Sequence, residues 1–134
     1  MKGRSLAPGS AHGLALVLDE PLSLWGGMDP ASGELIDARH PQRGAQLAGR
    51  VLVMAAVRGS SSSSSVLAEA VRAGSAPAAI LLGEVDLILA VGAAVAEELY
   101  GVRLPIVVLS PAQRALIEDG RPVSISEAGK ITLH

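Results

Sequence analysis

The sequence predicts an α/β domain, and three observations carry that reading. Short apolar runs alternate with segments of helical periodicity, the pattern of strands joined by helices. The hydrophobic content is high at 49% but only 1% of the 134 residues are aromatic, and 22 are alanine, so the core is aliphatic. Small and branched side chains suit helices packed closely on a sheet. Glycines stand at the ends of the helical segments, as Gly74 and Gly101 do. The length fits one domain spanning residues 1–134, with no internal repeat.

Taken in order, Gly13–Leu18 (GLALVL) reads as a short buried strand. Pro21 to Gly49 is dense in turn residues, and Gly33–Ile36 is its only strand-like piece. Arg50–Val57 (RVLVMAAV) reads as a central strand, apolar on both faces. Val66–Ala73 reads as a helix with Glu69 and Arg72 opposite its apolar face, stopped by Gly74. Val91–Tyr100 follows as a second helix, with Val91, Val95 and Leu99 lined up at spacing four and Gly101 as its stop. A third has Ser110 as N-cap, Pro111 in its first turn, Gln113 closing a capping box and Gly120 beyond its end. Ala78–Leu82 and Pro105–Leu109 are strands between helices. Val123–Ser126 and Ile131–Leu133, around Glu127–Lys130, form a hairpin.

Composition excludes several function classes. A net charge of −2 and two aromatic residues argue against nucleic-acid binding. The longest apolar stretch, Leu87–Ala96, is far shorter than a membrane span, and MKGRSLAPGSAHG lacks the apolar core of a signal peptide. The expected location is cytoplasmic, with no membrane partner. Zero cysteines exclude disulfides, a thiol nucleophile and cluster ligation by this chain, and His12, His40 and His134 fit no metal-ligand spacing.

The chemistry concentrates in one segment, Arg58-Gly59 followed by six serines, Ser60 to Ser65. Between two domains such a run would be a flexible spacer. Here it joins an apolar strand to an amphipathic helix, where the helix start offers free N–H groups and a positive dipole end to an anion. Gly59 permits close backbone approach, Ser61 and Ser62 add hydroxyl donors, and Arg58 suits a carboxylate or phosphate. Ser65 serves as N-cap on this reading. No G-x-S-x-G elbow or phosphate-binding G-x-x-x-x-G-K-[ST] motif is present, which disfavours a self-contained serine hydrolase and a nucleotide site.

Other polar residues have a functional and a plainer reading. Trp25 is either partner-facing or a packed indole. Asp29-Pro30 initiates a turn more readily than it binds substrate. Asp37, Arg39 and His40 form either a hydrogen-bonded turn or a polar cluster reaching a site. Glu97 and Glu98 are the solvated face of a helix.

Two motifs in fixed order resemble a known family. The first is Pro21-Leu-Ser-Leu-Trp-Gly-Gly-Met-Asp-Pro, continuing through Gly33, Ile36-Asp37 and His40-Pro41 to Gly44. The second is Gly49-Arg-Val-Leu-Val, then Arg58-Gly-Ser-Ser, then Ala76-Pro-Ala-Ala-Ile. Together they resemble the swivel domain, or small subunit, of aconitase X-type dehydratases, over residues 11–110. The resemblance implies a compact swivelling β/β/α domain that closes over a large subunit of about 400 residues, in a heterodimer. It implies that the partner carries an iron or iron–sulfur centre, that this chain binds no cofactor or metal, and that it is inactive alone. Matched onto the family loop, Ser60 is the proton acceptor, with Arg58, Gly59, Ser61 and Ser62 binding a small anionic substrate. That substrate is cis-3-hydroxy-L-proline or mevalonate 5-phosphate. Val57-Arg58-Gly59 departs from the family's Gly-Arg-Gly entry, and uniform serine leaves the register of the base open across the run. The alternative is a non-catalytic anion-binding or regulatory module with the same fold.

Overall fold

In the computed structural model of the chain, which describes residues 1–59 and 61–134, the fold is built around strands buried on both faces. The elements begin with β1 (Arg4–Ala7), β2 (Ala11–Val17), α1 (Leu24–Gly27), β3 (Val51–Met54) and α2 (Ser63–Ala73). They continue with β4 (Ala79–Leu82), α3 (Leu87–Tyr100), β5 (Ile106–Val108), α4 (Pro111–Ala115), β6 (Pro122–Ile125) and β7 (Ile131–Leu133). All eight residues of β3 and β4 are buried. Continuous apolar runs satisfy that environment, because alternate side chains point to opposite faces and neither face meets water.

The sheet order is β1-β5-β4-β3-β2-β6-β7. The central strands β5, β4, β3 and β2 run parallel; β1 and the β6–β7 hairpin flank them antiparallel. The sheet curls into a half-barrel whose two edges meet. Lys2 bridges Lys130, and the Ile131 N–H donates to the Met1 carbonyl at 2.6 Å. Two cores result. Leu52, Met54, Ile80 and Leu82 pack outward against Leu67, Ala70, Leu89 and Ala93 of the helices. Val51, Val53, Ala79 and Leu81 point inward to meet Val107, Val123, Ile125 and Ile131.

The turn-dense stretch after β2 is a packed layer. Leu22, Leu24, Met28, Leu35 and Leu47 are all buried, and bridges tie Met28 to Leu35 and Glu34 to Gln46. α1 within it is a single kinked turn, since Trp25 (φ −72°, ψ 116°) and Gly26 (φ 78°, ψ −12°) leave helical angles.

Several expectations shift. β1 is an edge strand in a segment to which the sequence reading assigned no element. The strand expected over Arg50–Val57 stops at Met54. α2 starts at Ser63, three residues early, so Ser65 lies within the helix rather than capping it. α3 starts at Leu87, where the Asp86 carboxylate accepts from the Leu89 N–H at 2.8 Å. The Ser110–Gln113 capping box forms, but α4 spans only five residues and Gly120 lies past a further turn. The Val91, Val95, Leu99 stripe faces solvent, while Leu89, Gly92, Ala93 and Ala96 form the buried face of α3. The cause is a close helix crossing: a side chain on Gly92 would lie 2.9 Å from the Ser64 carbonyl oxygen, so small residues turn inward.

Candidate functional site

The carboxyl ends of the parallel strands share one edge of the sheet, the position where α/β folds receive ligands. β3 ends there at Met54, and α2 begins at Ser63. A neighbouring strap holds Val57 and Arg58. Leu22 bridges Val57, and the Arg58 N–H donates to the Leu22 carbonyl at 3.3 Å. Ser62 occupies the N-cap position with helical angles. Ser63 is buried, and its hydroxyl accepts from the Trp25 N–H at 3.4 Å. The Ser64 hydroxyl donates back to the Ser61 carbonyl at 3.0 Å. Ser63 and Ser64 thus anchor the helix start, whereas Ser61 and Ser62 are exposed.

Of the residues expected to form a site, Arg58, Gly59, Ser61 and Ser62 lie together on this edge. Ser60, the expected base, lies outside the described residues. Arg58 is half exposed and stands 3.7 Å from the Glu20 carboxylate. Gly59 is exposed, its φ is not positive, and a side chain there would meet no heavy atom within 4 Å. Neither packing nor a positive φ among the described residues requires glycine at this position. The first N–H groups of α2 have no intrahelical acceptor and carry the positive end of the helix dipole toward the loop. The surface can therefore hold an anion through a guanidinium, hydroxyls and backbone donors.

Sequence reasoning missed Arg114. Its guanidinium donates to the Leu109 carbonyl at 3.2 Å and covers Gly83, where a side chain would collide with it. The Gly83 N–H in turn donates to the Ala55 carbonyl, at the end of β3. Arg114 thus adds a cation to the same edge. The only sequence signal was a lone arginine in the helix after β5.

The remaining polar residues take their plainer roles. Asp29 and Asp37 accept from the Ala31 and Arg39 N–H groups, each at 2.9 Å, as turn-forming side chains do. His40 is buried; its Nδ1 accepts from the Gln42 N–H, which assigns the proton to Nε2, 3.0 Å from the Glu20 carbonyl. It braces the strap behind Arg58. The Trp25 indole is 60% exposed, which removes the packed-indole reading. Glu97 is part-buried and pairs with Arg103, while Glu98 is exposed. The Glu69 carboxyl is held below its usual range, first by its hydrogen bond from Arg72. That pair is exposed on α2 and marks no catalytic group. A cleft of about 760 Å³ lined by His12, Leu14, Pro122, Ser124 and His134 lies at the start of β2, away from the strand ends. Among the described residues, no three His, Cys, Asp or Glu side chains converge as a metal site, and no helix is long and apolar enough to cross a membrane.

A curled mixed sheet with an exposed Arg–Gly–Ser edge defines an α/β swivel-type domain, the fold class the sequence implied. The aconitase X swivel domain model matches residues 1–133, and the chain belongs to that family. The chain is 55% identical over 106 residues to a cis-3-hydroxy-L-proline dehydratase of Pseudomonas aeruginosa, covering 79% of this chain and 18% of that protein. It is 41% identical over 96 residues to a phosphomevalonate dehydratase small subunit of Thermococcus onnurineus, covering 72% of this chain and 74% of the relative. The crystal structure of Thermococcus kodakaraensis aconitase X superposes with a TM-score of 0.87 at 31% identity, covering 99% of this chain and 96% of that one. The chain thus spans about a fifth of the length of its Pseudomonas relative and about three quarters of the Thermococcus small subunit.

Proposed function

We propose that this chain is the small swivel subunit of an aconitase X-type dehydratase, and that it brings the loop from Arg58 to Ser62 to an active site shared with a large subunit. The observation that carries this reading is the 55% identity to a cis-3-hydroxy-L-proline dehydratase over a stretch that is only 18% of that enzyme. A domain making up so small a fraction of a dehydratase works with the remainder, and the Thermococcus relative that this chain covers to 74% is itself a small subunit.

The two candidate substrates share the relevant chemistry. cis-3-Hydroxy-L-proline and mevalonate 5-phosphate are both 3-hydroxy carboxylates. Dehydration takes a proton from the carbon beside the carboxylate and releases the neighbouring hydroxyl as water. Ser60 is assigned as acceptor of that proton. A serine hydroxyl is a very weak acid, so its alkoxide needs strong stabilisation in a site closed to water. The helix start, the Ser61 and Ser62 hydroxyls and Arg58 provide donors and positive charge around it. Arg58 binds the substrate carboxylate in place of Glu20. An iron or iron–sulfur centre, when bound, would supply Lewis acidity at the leaving hydroxyl; this chain has no cysteine to hold a cluster, so the ligands would come from the large subunit.

cis-3-Hydroxy-L-proline is the leading substrate on identity. Mevalonate 5-phosphate is the second reading, favoured by the coverage of 74% of a relative that is itself a small subunit. The test is reconstitution with the large subunit and assay on both compounds. Ser60→Ala is expected to abolish turnover while assembly persists. Near-normal turnover would move the base to another serine or to the partner. Full activity of the 134-residue chain alone would overturn the reading.

A further inference from the structure

The face of α3 opposite its buried side is apolar and uncovered: Leu87 is 69% exposed, Val91 54% and Leu99 64%, with Val95 and Ala94 between them. No charged residue interrupts the helix from Leu87 to Ala96. Carboxylates bracket it, with Glu84 and Asp86 before the first turn and Glu98 near the last. None of the three belongs to an ion pair among the described residues, and Arg103, the nearest arginine beyond the helix end, is engaged by Glu97 and Glu127. Five exposed apolar positions on one face of one helix are a large apolar area for a surface that stays in water.

Charge decides among the occupants. A second copy packed antiparallel would set Glu98 against Glu84 and Asp86, and a parallel copy would set each carboxylate against itself. Both arrangements juxtapose like charges at each end of the seam. An anionic lipid surface is disfavoured in the same way. The surface fits an apolar groove with basic side chains at two places. From Asp86 to Glu98 the helix advances twelve residues, so those cations stand about 18 Å apart at 1.5 Å per residue.

We infer that the outer face of α3 is the docking surface for the large subunit, which offers an apolar groove with Lys or Arg at both ends. The inference rests on the two-chain reading above. Contact there also steadies the serine loop. α3 crosses α2 at Gly92, against Ser64 in the first turn of the loop helix, so a partner gripping α3 holds that turn in place.

Binding of the cognate aconitase X-type large subunit by the full chain, measured calorimetrically at low and high salt, tests the inference. Val91→Glu and Leu99→Glu are expected to weaken binding at least a hundredfold, with circular dichroism and Tm close to the parent's. Glu84→Lys/Glu98→Lys is expected to weaken it about tenfold or more at low salt and much less at high salt. If the parent chain binds and the α3 variants bind equally well, the docking inference is overturned while the two-chain reading stands. If the parent chain does not bind at all, both are overturned. Self-association of the parent chain that Val91→Glu abolishes would assign the face to a second copy instead, against the inference.

Discussion

Arg58 and Glu20 stand at the loose end of ion-pairing distance, and both side chains are about half exposed. Such a pair contributes little to folding, so a substrate carboxylate can displace Glu20 at small cost. Arg58→Gln in the reconstituted enzyme is expected to raise KM about 10- to 100-fold, the worth of a hydrogen bond to a charged group, with a smaller effect on kcat. Steady-state kinetics on cis-3-hydroxy-L-proline checks this; an unchanged KM would remove Arg58 from substrate binding. At this scale the sequence was legible where partners are local. Asp29 and Asp37 hold N–H groups two residues on, so their turn role followed from type and position. His40 was legible only in its local turn bond from the Gln42 N–H, because its brace reaches the Glu20 carbonyl twenty residues earlier. Arg114 was missed for the same reason: the glycine it covers, Gly83, lies on another strand's exit.

The glycine stops of α2 and α3 were read better than their starts or faces, since α2 and α3 begin three and four residues earlier than the sequence reading placed them. The Ser110–Gln113 capping box and the left-handed Gly74 and Gly101 caps are set by residues within one turn of each other. The face of α3 is decided by what it packs on. A stripe at spacing four shows that a helix has a side, and only the close approach of α2 determines that the small side goes in. Gly92→Ala tests this crossing. Alanine favours the helix by about 1 kcal/mol, but its methyl would press on backbone atoms of Ser64. Overpacking at about 1–3 kcal/mol is expected to win, lowering the urea midpoint. A raised midpoint would show that the crossing relaxes freely.

At the scale of the whole molecule, the half-barrel closes through main-chain contacts of residues 1–3 with residues 129–131. Residues 1–3 join β1 to β7, and Gly3 makes it possible: a side chain there would lie 2.5 Å from the Val107 side chain and from the Val108 carbonyl oxygen. Gly3→Ala is expected to cost about 1–3 kcal/mol and to loosen the seam. Hydrogen exchange reads it directly, through lost protection of the Ile131 N–H, which donates to Met1, while the Leu52 region keeps its own. Equal protection throughout would show that the closure contributes nothing.

The sequence by itself determined the α/β class, the β3 and β4 strands, the Gly74 and Gly101 helix stops, the Ser110–Gln113 capping box, the hairpin and the placing of Arg58, Gly59, Ser61 and Ser62 on one strand-to-helix turn. Each of these rests on alternation, periodicity or capping within a few residues. Only the tertiary structure decided that the sheet curls until its edges meet, that His40 braces the strap, that Arg114 joins the loop's edge and that α3 turns its bulky side to solvent. Those outcomes come from contacts between distant segments competing for the same space, which local patterns do not encode.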